Sequence, residues 1–348
     1  MKKIVKLSGQ NVFFIVGFLA LVLMVWSIGF DTIINNVRKT GWWFAVIIGM
    51  WLPIYVINAL AFNTIIRDEN PVNRHVPFWH ILKINLSGFA LKAATPLGFL
   101  GGDPYKIIEL RSLFGVEKAT SSVLLYTMTH ISAHFLYWAL SILAAALFLP
   151  MSVKLRILLL VSFALLTVLL VAIWKCYRKG LTVRFFEFCS RVPLLKRWVV
   201  PFLKRNNDRL IQIDEQISKL YNTRRSAFFR TLGLEFFCRI CNALEVYVIL
   251  VSVTSDVTLI QSIVIYTFMS LFTNILFFSP MQIGTREGGF YLAFKMLSLA
   301  GSLGIYVSLV TRVRELFWIG IGILLMKVKG HHPNTQITGS VGKADLML

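Results

Sequence analysis

Apolar runs long enough to cross a bilayer recur along almost the whole chain. Those at 12–30, 42–66, 119–149, 155–174, 227–251 and 302–326 each approach or exceed the roughly 20 mostly apolar residues of a helical span. Hydrophobic residues fill 57% of the 348 positions and charged residues 15%, against roughly 25% charged in soluble domains. An aqueous core has no room for so much apolar surface. In lipid every backbone N–H and C=O must be satisfied internally, which a helix does by itself. The expected fold is therefore an all-α polytopic membrane protein of six full spans. The run after Met1-Lys-Lys lacks a small-x-small cleavage site, so it reads as a retained first span rather than a signal peptide.

The net charge is +20, from 36 Lys+Arg against 16 Asp+Glu. On a soluble chain this would point to nucleic acid. Here the basic residues sit between apolar runs, where topology explains them, so nucleic acid is not expected. Segment 175–230 carries 14 basic and four acidic residues and is expected in the cytoplasm, as are both termini. Aromatics Phe185, Phe186 and Trp198 interleave with its cations, a pattern suited to a headgroup layer rich in anionic lipid. A cytoplasmic helical hairpin is the equal alternative. The polar tail 330–348 is expected to be disordered, leaving 1–329 as one transmembrane domain.

Two further apolar regions are interrupted. Region 79–116 breaks at Thr95-Pro96-Leu-Gly98-Phe-Leu-Gly101-Gly102-Asp103, and region 259–300 breaks at Ser279-Pro280-Met-Gln-Ile-Gly284-Thr-Arg286-Glu287-Gly-Gly. With the basic segments inside, each region must begin and end on one side. The first is expected to be a re-entrant helix pair from the cytoplasm and the second its counterpart from outside. An acid follows each proline by seven residues (Asp103, Glu287), and a base by fifteen (Arg111, Lys295). Opposed interrupted elements mark inverted-repeat transporters and the cavity between the repeats. Two ordinary spans with loops at the prolines are the alternative.

Ionisable groups within apolar runs are functional candidates by default. At the first break, Asp103 is expected to cap the helix opened by Pro104. Gly101 and Gly102 would let backbone approach a ligand, with Lys106 and Arg111 adding positive charge. At the second, Arg286 offers a planar fork suited to phosphate, with Glu287 as its partner or as a helix cap. The last run adds Arg312, Arg314 and Glu315, expected to face inward. Glu235 and Arg239 lie four apart and should pair, and Glu245 extends that polar face. His130 and His134 are expected to hydrogen-bond in the interior rather than hold a metal. Cys238 and Cys241 are spaced as CxxC but read as packing residues. No catalytic motif and no cofactor are expected.

These motifs, Pro96–Asp103 with Arg111, Pro280-x-x-x-Gly284-x-Arg286-Glu287-Gly and the Arg312-containing last span, resemble the lysylphosphatidylglycerol synthase transmembrane region, or flippase-like domain, family. The likeness covers roughly 10–326. The second motif departs from the family's pattern, which tends to have more prolines and glycines; here Met281 and Gln282 intervene. Better-known members fuse this domain to a soluble aminoacyltransferase that makes lysyl-phosphatidylglycerol, while the membrane part moves the lipid between leaflets. The resemblance implies the lipid-handling half without the synthase.

The reading is a multi-pass protein of a bacterial-type inner (plasma) membrane that handles lipid, a flippase or transporter for an anionic phospholipid or a polyprenyl-linked lipid. The headgroup phosphate is expected between the breaks, near Arg111, Arg286 and Arg312, with Pro96, Gly98 and Gly284 shaping the backbone there. The rivals are a membrane subunit of a lipid-headgroup transferase and a scaffold for envelope enzymes. Membrane lipids are the expected partners, with a second copy of the chain or a separate envelope enzyme left open.

Overall fold

A computed structural model describes residues 29–67, 76–95, 101–179, 224–254, 257–276 and 284–328, with isolated positions between 18 and 26, between 200 and 222, and at 282. Among the described residues there is no strand. The helices are α1 (Phe30–Thr40), α2 (Trp43–Gly49), α3 (Trp51–Ile66), α4 (Phe78–Ala94), α5 (Gly102–Phe114), α6 (Val116–Phe148), α7 (Val153–Lys179), α8 (Arg225–Val251), α9 (Leu259–Ile275), α10 (Thr285–Met296) and α11 (Gly301–Leu325). Among the described residues, three stretches are long and apolar enough to cross a membrane: Trp43–Ile66, Val116–Phe148 and Val153–Lys175. Runs 227–251 and 302–326 also form long helices, α8 and α11, but carry several buried charges each. Most of run 12–30, most of segment 175–230 and the tail 330–348 lie outside the described residues.

Helix α7 packs chiefly on α6 and leaves Ile157, Val161, Leu165 and Val168 more than half exposed. So wide an apolar face on one helix suits hydrocarbon rather than water. The inner helices differ. Helix α8 touches α3, α6, α9 and α11, and α11 touches α1, α4 and α10.

Two apolar clusters form around this centre. One joins α3, α4, α5, α6 and α8 through Phe62, Ile84, Leu110, Val123 and Phe228. The other joins α2, α6, α8, α9, α10 and α11 through Ile47, Val246, Ile265, Phe290 and Val307. The pair α4–α5 contributes to the first cluster, and the pair α9–α10 to the second.

The breaks lie where the sequence puts them. Helix α4 stops at Ala94 and α5 starts at Gly102; α9 stops at Ile275 and α10 starts at Thr285. The second break is shorter than expected. Arg286, Glu287, Gly288 and Gly289 lie within the first turns of α10, because Glu287 accepts the N–H of Gly284 at 2.8 Å and closes that end of the helix. Gly284 takes φ 80, and Gln282 takes φ 54.

Glycines let the helices approach closely. A Cβ on Gly102 would overlap the carbonyl oxygen of Gly88, and one on Gly322 would lie 2.6 Å from Cβ of Ala90. Nothing stands within 4 Å of a Cβ on Gly320. Gly102→Ala is therefore expected to destabilise the protein by about 1–3 kcal/mol through overpacking. Gly320→Ala should be neutral or stabilising by up to about 1 kcal/mol. Thermal unfolding in detergent checks the pair, and equal melting points would refute the close α4–α5 contact.

Candidate functional site

A cavity of about 330 Å³ lies between the two broken pairs, within the range of small-molecule sites. Helices α4 and α5 line it with Asn85, Lys92, Asp103 and Lys106. From the other side come Ser270 and Asn274 of α9, Gln282, and Arg286 of α10. Helices α3, α6, α8 and α11 complete the wall, with Tyr55, His130, Arg239, Glu245, Arg314 and Glu315 among the lining groups. Five cations thus face three carboxylates: Lys92, Lys106, Arg239, Arg286 and Arg314 against Asp103, Glu245 and Glu315.

Helix α11 organises one side. Arg312 and Arg314 stand two residues apart, about 200° around a helix, so they serve different neighbours. Arg314 makes a two-pronged pair with Glu245 of α8 at 2.8 and 3.0 Å and stacks 3.7 Å from the ring of Trp51. Arg312 reaches Glu287 of α10 at 2.5 and 3.0 Å and the carbonyl of Gln282 at 2.8 Å. Ser308 also donates to Glu287, at 3.1 Å. Glu315 accepts from Arg286 at 2.5 Å, and Arg286 also donates to the Gln282 side chain at 2.9 Å.

A second network spans α6 and α8. Glu235 is fully buried. It accepts from Tyr126 at 2.7 Å and Arg239 at 3.0 Å, and lies 2.7 Å from His130 Nδ1. The spacing of Glu235 and Arg239 thus does produce a pair. His134 lies 3.5 Å from the Ser270 hydroxyl, and Cys238 packs fully buried.

Several expectations need correction. Of the two roles expected for Glu287, it takes the helix cap at Gly284 and does not pair with Arg286. Adjacent helical residues point about 100° apart, and each instead pairs with α11. Arg312 faces inward as expected, but neither it nor Glu287 lines the cavity, since the two are engaged with each other at the break. Arg111 is exposed and also misses the cavity. It stands about 140° around α5 from Lys106. Gly101 and Gly102 are buried against α4, Gly101 beside Thr95 and Leu91. Asp103 lies in the first turn of α5 rather than at its cap, and accepts from Thr127 at 3.1 Å. Gly284 is exposed, and Pro96 and Gly98 lie outside the described residues.

Some lining residues escaped the sequence reading. Lys92 could have been found, because it is an ionisable group in an apolar run. Tyr55, Asn58 and Asn85 are single polar residues in apolar stretches and carry no distinguishing pattern.

The family model described as "Lysylphosphatidylglycerol synthase TM region" matches residues 12–322. The chain belongs to the lysylphosphatidylglycerol synthase TM region family. No curated protein and no solved structure matches it. Membership of this family makes the chain a membrane protein related to lipid metabolism.

The ion pairs set a stability test. Glu245→Gln leaves Arg314 buried without a countercharge and should cost about 3 kcal/mol or more. Replacing both, as Glu245→Leu with Arg314→Met, should restore most of the loss. Denaturation in detergent measures both, and an undisturbed Glu245→Gln protein would contradict the pairing.

Proposed function

We propose that the protein moves an anionic phospholipid or a polyprenyl-linked lipid between leaflets of a bacterial-type inner membrane. The cavity shared by both interrupted helix pairs is the observation that carries this reading. Non-helical backbone at membrane depth persists where protein or a water-filled cavity surrounds it. An excess of cations in such a place favours an anionic headgroup, whose tails stay in lipid. Of the residues singled out in the sequence, Asp103, Lys106, Arg239, Glu245, Arg286 and Glu315 are the ones we assign to this cavity.

The same proposal takes α4–α5 and α9–α10 as re-entrant pairs of opposite polarity. With 13 and 12 residues, α5 and α10 span about 20 and 18 Å at 1.5 Å per residue. That is short of a hydrocarbon core about 30 Å thick. Both termini and the basic segment 175–230 are assigned to the cytoplasm on the positive-inside rule.

In proteoliposomes, fluorescent phosphatidylglycerol should become accessible to an external quencher faster than in empty vesicles. The joint change Arg286→Ala with Glu315→Ala, which strands neither charge, should slow it about tenfold or more. Equal rates for protein-containing and empty vesicles would remove the transport reading. The family's name supports a second reading, a membrane subunit of a lipid-headgroup transferase. A modified lipid that vanishes on deletion while translocation is unchanged would favour it.

Topology is tested separately. With the native cysteines replaced, Cys introduced at Val72 should react only from the cytoplasm and Cys at Ser255 only from outside. Reaction of both from one side would overturn the opposed arrangement.

A further inference from the structure

Most charges on the cavity wall already have partners. Glu245 is held by Arg314, Glu315 by Arg286, and Arg239 by Glu235. Lys106 is different. It is only 7% exposed and lines the cavity. Among the described residues its ammonium makes no hydrogen bond and no ion pair. It lies 4.9 Å from the Tyr126 ring centroid and 5.3 Å from that of Phe62. Ring faces recover only part of what a cation loses on leaving water.

The position of Lys106 is built by packing. A Cβ on Gly88 would stand 2.6 Å from Lys106 Cε, so the glycine leaves room for the lysine stem between α4 and α5. Lys92 lines the same cavity from α4. Asp103 is the remaining lining carboxylate and is within electrostatic reach of Lys106. It also accepts from Thr127.

Residues lining this cavity also hold unmatched neutral groups. The Tyr55 hydroxyl, the Asn58 Oδ1 and the Asn242 Oδ1 are buried without a hydrogen-bond partner. Buried polar atoms of this kind call for a partner. Hydroxyl groups would supply the donors these two amide oxygens lack. An ammonium would need a carboxylate as well; the two lining glutamates are held by arginines, and Asp103 accepts from Thr127 and faces the charge of Lys106.

We infer that the cavity takes a lipid whose headgroup carries phosphate and hydroxyl groups and no free amine, with the phosphate against Lys106. The inference rests on the transport reading for its choice of a lipid, and it narrows that reading to one headgroup chemistry. Lys106 supplies the charge-assisted hydrogen bond, and the polar groups of α3 and α8 receive the hydroxyls. A lysyl-bearing headgroup would bring further cations to a wall already rich in them.

Binding to the purified full chain in detergent tests this, using short-chain phosphatidylglycerol, short-chain lysyl-phosphatidylglycerol and inorganic phosphate. Phosphatidylglycerol should bind about tenfold or more tightly than the lysyl form. Lys106→Met should weaken phosphatidylglycerol binding about tenfold without lowering the melting point, since it removes a buried ammonium that has no ion pair among the described residues. Equal or tighter binding of the lysyl form by the wild type would overturn the inference whether or not the variant folds. So would a folded Lys106→Met protein with undiminished affinity. Displacement by millimolar inorganic phosphate would assign the site to a free anion and overturn the lipid. Phosphatidylglycerol binding without translocation would sink the transport reading alone, and translocation without headgroup preference would sink this inference alone.

Discussion

The arrangement depends on how the charges that α11 takes out of water are paired. Helix α11 carries Arg312, Arg314 and Glu315 within four consecutive residues, all buried. Each reaches a carboxylate or guanidinium on another helix, two on α10 and one on α8. An apolar contact tolerates sliding, but a two-pronged arginine–carboxylate pair fixes both rotation and height. The charges of α11 therefore set where α10 and α8 stand, and so the shape of the wall between them.

Against that rigid side, the α4–α5 side is held by glycine. Gly88 and Gly102 bring two short helices into backbone contact, and Ser87 donates to the carbonyl of Gly322 at 2.9 Å, tying α4 to α11. The two halves thus use different physics. One is locked by ion pairs that need exact partners, the other by close backbone packing that excludes even a methyl group. The cavity lies where these two constructions meet, and its wall mixes paired arginines with a lysine that has no ion pair among the described residues.

Much of this was legible in the sequence, and the reasons differ by residue. The helices at 116–148, 225–251 and 301–325 follow from run length and hydropathy alone. The two interruptions follow from their glycines and prolines. The inward direction of Arg312 and Arg314 follows from their depth in an apolar run. Partner choice was not legible. Arg286 and Glu287 are neighbours in the chain, yet helical geometry sends them apart, and only the approach of α11 decides what each one meets. Arg111 was misplaced for a similar reason, since spacing from a proline does not give its face on α5. Gln282, which departs from the family's pattern, turns out to receive both Arg286 and Arg312. Its contacts arise from a left-handed backbone at the break that no periodicity reports.

The interlocked charges also bear on how such a chain can drift. Reversing the sign of any one member leaves its mate buried without a countercharge, so single-step replacement at Arg314 or Glu245 is costly. Change there must come as a couple, or by way of two apolar substitutions that dissolve the pair. Lys106 stands outside that bond of mutual dependence. A mutation at this position breaks no ion pair among the described residues, so the pairs that join α11 to α8 and α10 stay whole when it changes.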